Sequence, residues 1–124
     1  MKAILIDTDS HSLNVLEKHL IDLSEIKIVG MYNDPYIGKE AVISEAADVL
    51  FLETRLPYLS GIVLAKQLKQ MQPHLDVVFI TDYERYALDA YNISAVDYVM
   101  KPLRQSRLEK TIQRLEANYL KRQH

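Results

Sequence analysis

Several side chains of this sequence stand where short apolar runs stop. Asp7 follows residues 3–6, with Thr8 and Asp9 directly behind it. Glu53 follows the unbroken run Val49-Leu50-Phe51-Leu52, Thr81 follows residues 77–80, and Lys101 follows residues 96–100. If the runs lie side by side, these residues share one pocket. Acids grouped with one hydroxyl and one lysine make a site for a divalent cation and a phosphoryl group. The acids hold a hard cation. The lysine offsets the remaining charge, and the hydroxyl can bond an oxyanion. Glu53 is the centre of the set, because it closes an apolar run and opens a loop containing Pro57 and Gly61.

The elements that position them follow from periodicity. Apolar runs of this length suit strands buried on both faces. Asp9 or Ser10 can cap a first helix whose stripe is Leu13, Leu16, Leu20 and Leu23. Residues 26–29 read as a second strand, ended by Gly30. Asp34-Pro35 opens a helix to about Ala47, with a weak stripe of Ile37, Ala41 and Ser44. The next helix starts near Gly61, packs through Ile62, Ala65 and Leu68, and stops before Pro73. A short helix over roughly residues 84–92 has Ala87, Ala90 and Tyr91 on one side. The last helix runs over about residues 105–120 with Leu108, Ile112, Leu115 and Tyr119 as its stripe, and residues 121–124 read as a solvated helix end. Five strands alternating with five helices predict an α/β fold, a doubly wound parallel sheet. The flavodoxin-like strand order 2-1-3-4-5 fits the size and puts the switch point between strands 1 and 3.

Composition bounds the function. The 124 residues make one domain, 48% apolar, with a formal net charge of −2 and no cysteine. That charge gives no general pull toward nucleic acid or anionic membrane, and disulfides and thiolate metal sites are excluded. The N-terminal MKAILIDTD is too short for a signal peptide or membrane helix, so the expectation is a cytoplasmic domain that contacts no membrane. His11, His19, His74 and His124 lack ligand spacing and read as surface residues. Arg104, Arg107, Lys110 and Arg114, interleaved with Glu109 and Glu116, read as an exposed, salt-bridged helix face. Tyr83, Tyr86 and Tyr91 are either packing residues or a partner face.

Taken in order, ILIDTD, DVLFLETRLPYLSG, VVFIT and AVDYVMKP make the chain resemble the receiver domain of two-component response regulators, over about residues 2–120. The segment ITDYERYALDAYNISAVDYVMKPL is most similar to receivers of the LytTR class and of related regulators with other DNA-binding outputs. The resemblance implies a phosphoacceptor carboxylate at Glu53, acidic positions at 7 and 8, a switch hydroxyl at Thr81, an aromatic switch at Tyr98 and the family's lysine at Lys101. It implies a cis Lys101–Pro102 bond, and Mg²⁺ held by Asp7, Glu53 and the backbone carbonyl of Arg55. Its implied partners are a histidine kinase, a second copy through the face of the fourth helix, fifth strand and fifth helix, and an output domain that reaches DNA on its behalf. On that basis residues 1–120 are the receiver domain, and residues 121–124 are a tail or the start of a linker to an output domain.

Two departures alter the expectation. The family's nucleophile is Asp, and here it is Glu53. Where the family has two consecutive acids, this chain has Asp7-Thr8, with Asp9 one place late. Mg²⁺ demands near-octahedral oxygen geometry, so its binding is expected to be weak, with no cofactor required and no enzymatic role beyond residual self-phosphorylation. The added methylene of Glu moves the carboxylate by about 1 Å, enough to cost about 100-fold in rate where reacting groups must align. Glu53 is therefore expected to pair with Lys101 and hold one state without phosphate. Two other functions compete with this one. The first is a working phosphoacceptor in a histidine-kinase phosphorelay that regulates transcription. The second is a flavodoxin-like small-molecule or nucleotide binder, disfavoured because residues 8–12 contain no glycine.

Overall fold

The computed structural model describes residues 1–123. The elements are β1 (Lys2–Ile6), α1 (Ser10–Leu23), β2 (Lys27–Tyr32), α2 (Pro35–Ser44), β3 (Val49–Leu52), β4 (Arg55–Leu56), β5 (Leu59–Ser60), α3 (Gly61–Met71), β6 (Asp76–Thr81), a 3₁₀ turn (Glu84–Tyr86), α4 (Ala87–Asn92), β7 (Asp97–Met100) and α5 (Gln105–Gln123). The main sheet is parallel, in the order β2-β1-β3-β6-β7. Counting its five strands along the chain, this is the expected 2-1-3-4-5. The sequence reading missed β4 and β5, a two-rung antiparallel hairpin directly after β3.

The three inner strands carry almost unbroken apolar runs because helices cover both sheet faces. Leu5, Phe51 and Val99 face the layer of α1 and α5, with Leu16 and Leu108. Ile4, Leu50 and Phe79 face the layer of α2, α3 and α4, with Leu64 and Ala90. Burying each such large side chain contributes about 2 kcal/mol of transfer free energy. The strands thus form a stiff comb whose carboxyl ends sit at one edge.

The fit departs from periodicity where glycine allows close approach. Gly30 does not end β2, which runs on to Tyr32. The Tyr32 ring lies over Gly30, in the space a Cβ would fill. In α2, Gly38 takes the side chain of Ile6 the same way. That contact turns Gly38, Ala41 and Val42 inward and leaves Ile37 54% exposed, so Ile37 and Ser44 are not its packed stripe. The helix ends at Ser44 rather than near Ala47, just before Ala46 takes a φ of 50°. In α3, Leu64 joins Ala65 and Leu68 at 0% exposure, while Ile62 packs against the same core only partly buried. The fourth helix splits into the 3₁₀ turn and the short α4, in which Ala90 is buried and Tyr91 is exposed.

Charges at the other end of the sheet also depart from expectation. Arg107 and Arg114 do not pair with Glu109 or Glu116. Both reach Asp97 at the start of β7, Arg107 through two bonds of 2.7 and 2.8 Å and Arg114 at 3.1 Å. Thr111 donates to the same carboxylate at 2.7 Å, and the Tyr98 amide does so at 2.8 Å. Arg122, expected in solvent, bonds Asp76 at 2.9 Å, and α5 extends through Gln123. His124 lies outside the described residues.

Burial alone would push the Asp97 carboxyl up, but its Arg107, Thr111 and backbone bonds together hold it down, at about 2 against an ordinary 3.8. A folded value below the unfolded one means stability that is full above pH 3.8 and lost as pH falls toward 2. With the partially exposed arginines screening the interaction, the contribution is about 1–2 kcal/mol. Urea unfolding is expected to show that loss between pH 4 and pH 2, and Asp97→Asn to flatten that part of the profile. An unchanged slope in the variant would contradict the assignment.

Candidate functional site

Asp7 ends β1, Glu53 follows β3, Thr81 ends β6 and Lys101 follows β7. The sheet order sets all four along its carboxyl edge, where open α/β sheets do their chemistry. Asp7, Glu53 and Thr81 are buried, at 7%, 5% and 0% exposure. The Lys101 ammonium reaches Asp7 Oδ2 at 2.8 Å and Glu53 Oε1 at 3.2 Å, so one lysine bridges both carboxylates. The Lys101–Pro102 peptide bond is cis, as the resemblance implied.

Every oxygen of the two carboxylates is engaged. Asp7 Oδ1 accepts the Asp9 amide at 2.9 Å. Glu53 Oε2 accepts the Thr54 amide at 2.6 Å and the Thr54 hydroxyl at 3.2 Å. Burial pushes the Asp7 carboxyl above its usual range, with the charge of Glu53 adding to it, against the pull of the Lys101 and Asp9 bonds. Burial works against the Lys101 ammonium, but its two carboxylates overcome that and raise it. The lysine therefore stays charged, and the cluster is a closed ion triad.

Gly61 explains how Glu53 reaches this position. Its amide donates to the Thr54 carbonyl at 2.7 Å. A Cβ at residue 61 would collide with the carbonyl oxygen of Glu53. The hairpin β4–β5 thus folds back against the end of β3, and only the absence of a side chain at 61 allows it.

The remaining residues meet the cluster in different ways. Thr8 is exposed. Asp9 leaves the acidic cluster to cap α1, accepting the His11 amide at 3.0 Å and the Ser12 hydroxyl at 2.8 Å. The Ser12 bond, ahead of the penalty of desolvation, holds its carboxyl below the ordinary range. Arg55, expected to lend a backbone carbonyl to a metal, pairs with Ser60 in the hairpin and lays its guanidinium over the Tyr83 ring at 4.8 Å. Tyr98 is half-buried, and its hydroxyl donates to the Tyr83 carbonyl. Burial pushes its phenol up, and the nearby Glu53 charge adds to the effect. Thr81 Oγ1 accepts the Tyr83 amide at 3.1 Å and lies 2.9 Å from Thr54 Oγ1.

Thr54 is the site residue that the sequence reading did not single out. It is 2% exposed and touches both Glu53 and Thr81. A hydroxyl directly after the central carboxylate was the available signal.

These residues fit Mg²⁺ poorly. Two carboxylates face the point where a cation would sit, their oxygens are spoken for, and an ammonium already lies between them. Among the described residues, no group of three or more His, Cys, Asp or Glu is arranged to hold a metal ion.

A doubly wound sheet that gathers carboxylates, a buried hydroxyl and a lysine at its carboxyl edge defines a receiver-type signalling fold. The family model described as response regulator receiver domain matches residues 3–113, and the chain belongs to that family. It is 34% identical over 122 residues to an uncharacterized response regulatory protein of Vibrio cholerae, covering 98% of this chain and 51% of that protein. It is 29% identical over 123 residues to the transcriptional regulatory protein YpdB of Escherichia coli K12, covering 99% and 50%. The response regulatory domain of protein mrkE from Klebsiella pneumoniae superposes with a TM-score of 0.91 at 27% identity, over 98% of this chain and 99% of that one. The chain spans about half the length of the curated relatives it matches. No helix among the described residues is long and apolar enough to cross a membrane.

Proposed function

We propose that this receiver domain is an interaction module set by its own side chains rather than by phosphorylation, and that it controls an output domain or partner through protein–protein contact. The observation that carries this reading is the triad of Lys101 with Asp7 at 2.8 Å and Glu53 at 3.2 Å. In a phosphorylated receiver, a negative group extends from the end of β3 toward the lysine and the hydroxyl. Glu53 reaches the lysine directly, and with Thr54 it reaches the hydroxyl as well. It supplies one charge where a phosphoryl group supplies about two. No metal is needed to hold that arrangement.

Relatives named as transcriptional regulatory proteins support an output that acts on DNA, reached by this domain only indirectly. The LytTR-like segment around Thr81 and Lys101 supports the same kind of output, and the setting proposed for it is cytoplasmic. A homodimer would use α4, β7 and α5, where β7 is a sheet edge and Leu88, Tyr91 and Met100 are exposed. The second reading is a working phosphoacceptor served by a histidine kinase. It is favoured by the placement of Glu53, Thr81 and Lys101 around one point. Incubation with acetyl phosphate and Mg²⁺, followed by intact-protein mass measurement, separates the two. The expected result is no gain of a phosphoryl group, and stoichiometric labelling at Glu53 would overturn the proposal.

A further inference from the structure

Four hydroxyl and amide groups connect Glu53 to the loop after β6, and their donors can be ordered. A hydroxyl has one proton to give. Thr54 Oγ1 gives its proton to the Glu53 carboxylate at 3.2 Å, since an ionised carboxylate only accepts. The 2.9 Å contact between Thr54 and Thr81 must then run from Thr81 to Thr54. The Thr81 oxygen in turn accepts the Tyr83 amide at 3.1 Å. The Tyr83 carbonyl takes the Tyr98 hydroxyl. The bonds from the Tyr83 amide through Thr81 and Thr54 therefore point one way, onto a buried negative charge. Bonds aligned head to tail at low dielectric polarise one another.

We propose that Thr54 is the positioning residue that couples the charge of Glu53 to Thr81, and through Thr81 sets the backbone of Tyr83 and the seat of Tyr98. This rests on the reading of Glu53 as the built-in setting group. Both threonines are buried, at 2% and 0% exposure, so water does not compete for their bonds. Without the Thr54 hydroxyl, Thr81 loses its acceptor and becomes free to rotate, and its oxygen holds the Tyr83 amide less firmly. Glu53 would still bind Lys101, but its state would no longer reach the Tyr83–Tyr98 contact.

The test compares Thr54→Val with Thr54→Ser by amide hydrogen exchange and ¹H–¹⁵N spectra of the whole chain. Valine keeps the branched shape and removes the hydroxyl, whereas serine keeps the hydroxyl. Coupling predicts that Thr54→Val speeds exchange of the Tyr83 amide by about 5–10-fold, the loss of one ordinary hydrogen bond. It also predicts that the Tyr98 ring signals move and that Thr54→Ser restores both. A purely space-filling role predicts the reverse: valine silent and serine disruptive. That outcome overturns the proposal. Should Thr54→Val fail to fold, Glu53→Gln carries the test. Glu53 does not touch Tyr83, so faster exchange of the Tyr83 amide on neutralising it supports the relay, and an unchanged Tyr83 amide overturns it; the Tyr98 ring is not read in this arm, because the Glu53 charge also acts on it directly. Phosphoryl labelling of Glu53 would defeat the reading of its role while leaving the relay in place. A silent Thr54→Val defeats the relay alone.

Discussion

The double variant Glu53→Asp/Thr8→Asp is expected to take up a phosphoryl group from acetyl phosphate and Mg²⁺ at least about 100-fold faster than the native chain. Two defects combine in the native site. The Glu53 carboxylate stands one methylene too far out, about 1 Å from where an aspartate would attack, and misplacement on that scale costs about 100-fold. It also reaches Lys101 and Thr54, so it is tied down by bonds that the reaction would have to break. Shortening it to Asp withdraws it from both. Thr8, exposed beside Asp7, supplies no charge to a cation; an Asp there returns a second carboxylate to the β1 end. The single variants should each fall well short, because an aspartate without a metal is a poor phosphoacceptor and a metal site beside a tethered glutamate has no aligned nucleophile. Two carboxylates at 7 and 8 also repel, so Mg²⁺ should raise the melting temperature of the double variant more than that of the native chain. Uptake no faster than native would show that the defect lies elsewhere.

The sheet order and its reactive edge were legible because inner strands must be apolar throughout. Val49-Leu50-Phe51-Leu52 can be little else, and each such run ends at a residue that now stands in the site. The Glu53–Lys101 contact was legible too, from charge and length. What escaped was set by close approach or by partners distant in sequence. Nothing in PYIGKEAVIS shows that Gly38 will receive Ile6 and so choose the buried face of α2. Arg107 and Arg114 read as surface charges, because their partner Asp97 lies on another element, 10 residues before Arg107. Arg122 meets Asp76 across 46 residues. Asp9 could be read as an acid or as a cap, and its hydrogen bonds decided for the cap. Thr54 escaped because a threonine after a strand is an ordinary residue until its neighbour's carboxylate curls back onto it.

Lys101→Met is expected to destabilise the fold by about 3–5 kcal/mol at pH 7, the range for removing one partner from a buried ion cluster. Its side chain is 11% exposed, and its ammonium serves two carboxylates that are themselves buried. Methionine fills much of the same volume, so the loss is chiefly electrostatic rather than a cavity. Without the lysine, Asp7 and Glu53 face each other with no cation between them. Asp7 is already raised by burial and by Glu53, and the Lys101 bond that opposes them is gone in the variant. Its folded value should climb further above the unfolded one. For an acid raised on folding, the stability is complete below the unfolded value and is lost as pH rises through the folded one. The deficit of Lys101→Met should therefore be large at pH 7 and shrink as pH falls toward 4, where the pair takes up a proton and the repulsion ends. Urea unfolding of native and variant chains across that window reads the difference directly. A deficit that stays constant with pH would mean that Lys101 supports the fold through packing of its stem, and that Asp7 and Glu53 are not held apart from water and from each other as described. If the deficit closes on acidification, the double variant Lys101→Met/Glu53→Gln should recover much of the loss at pH 7, because it removes the second charge without removing its hydrogen-bonding oxygen toward Thr54.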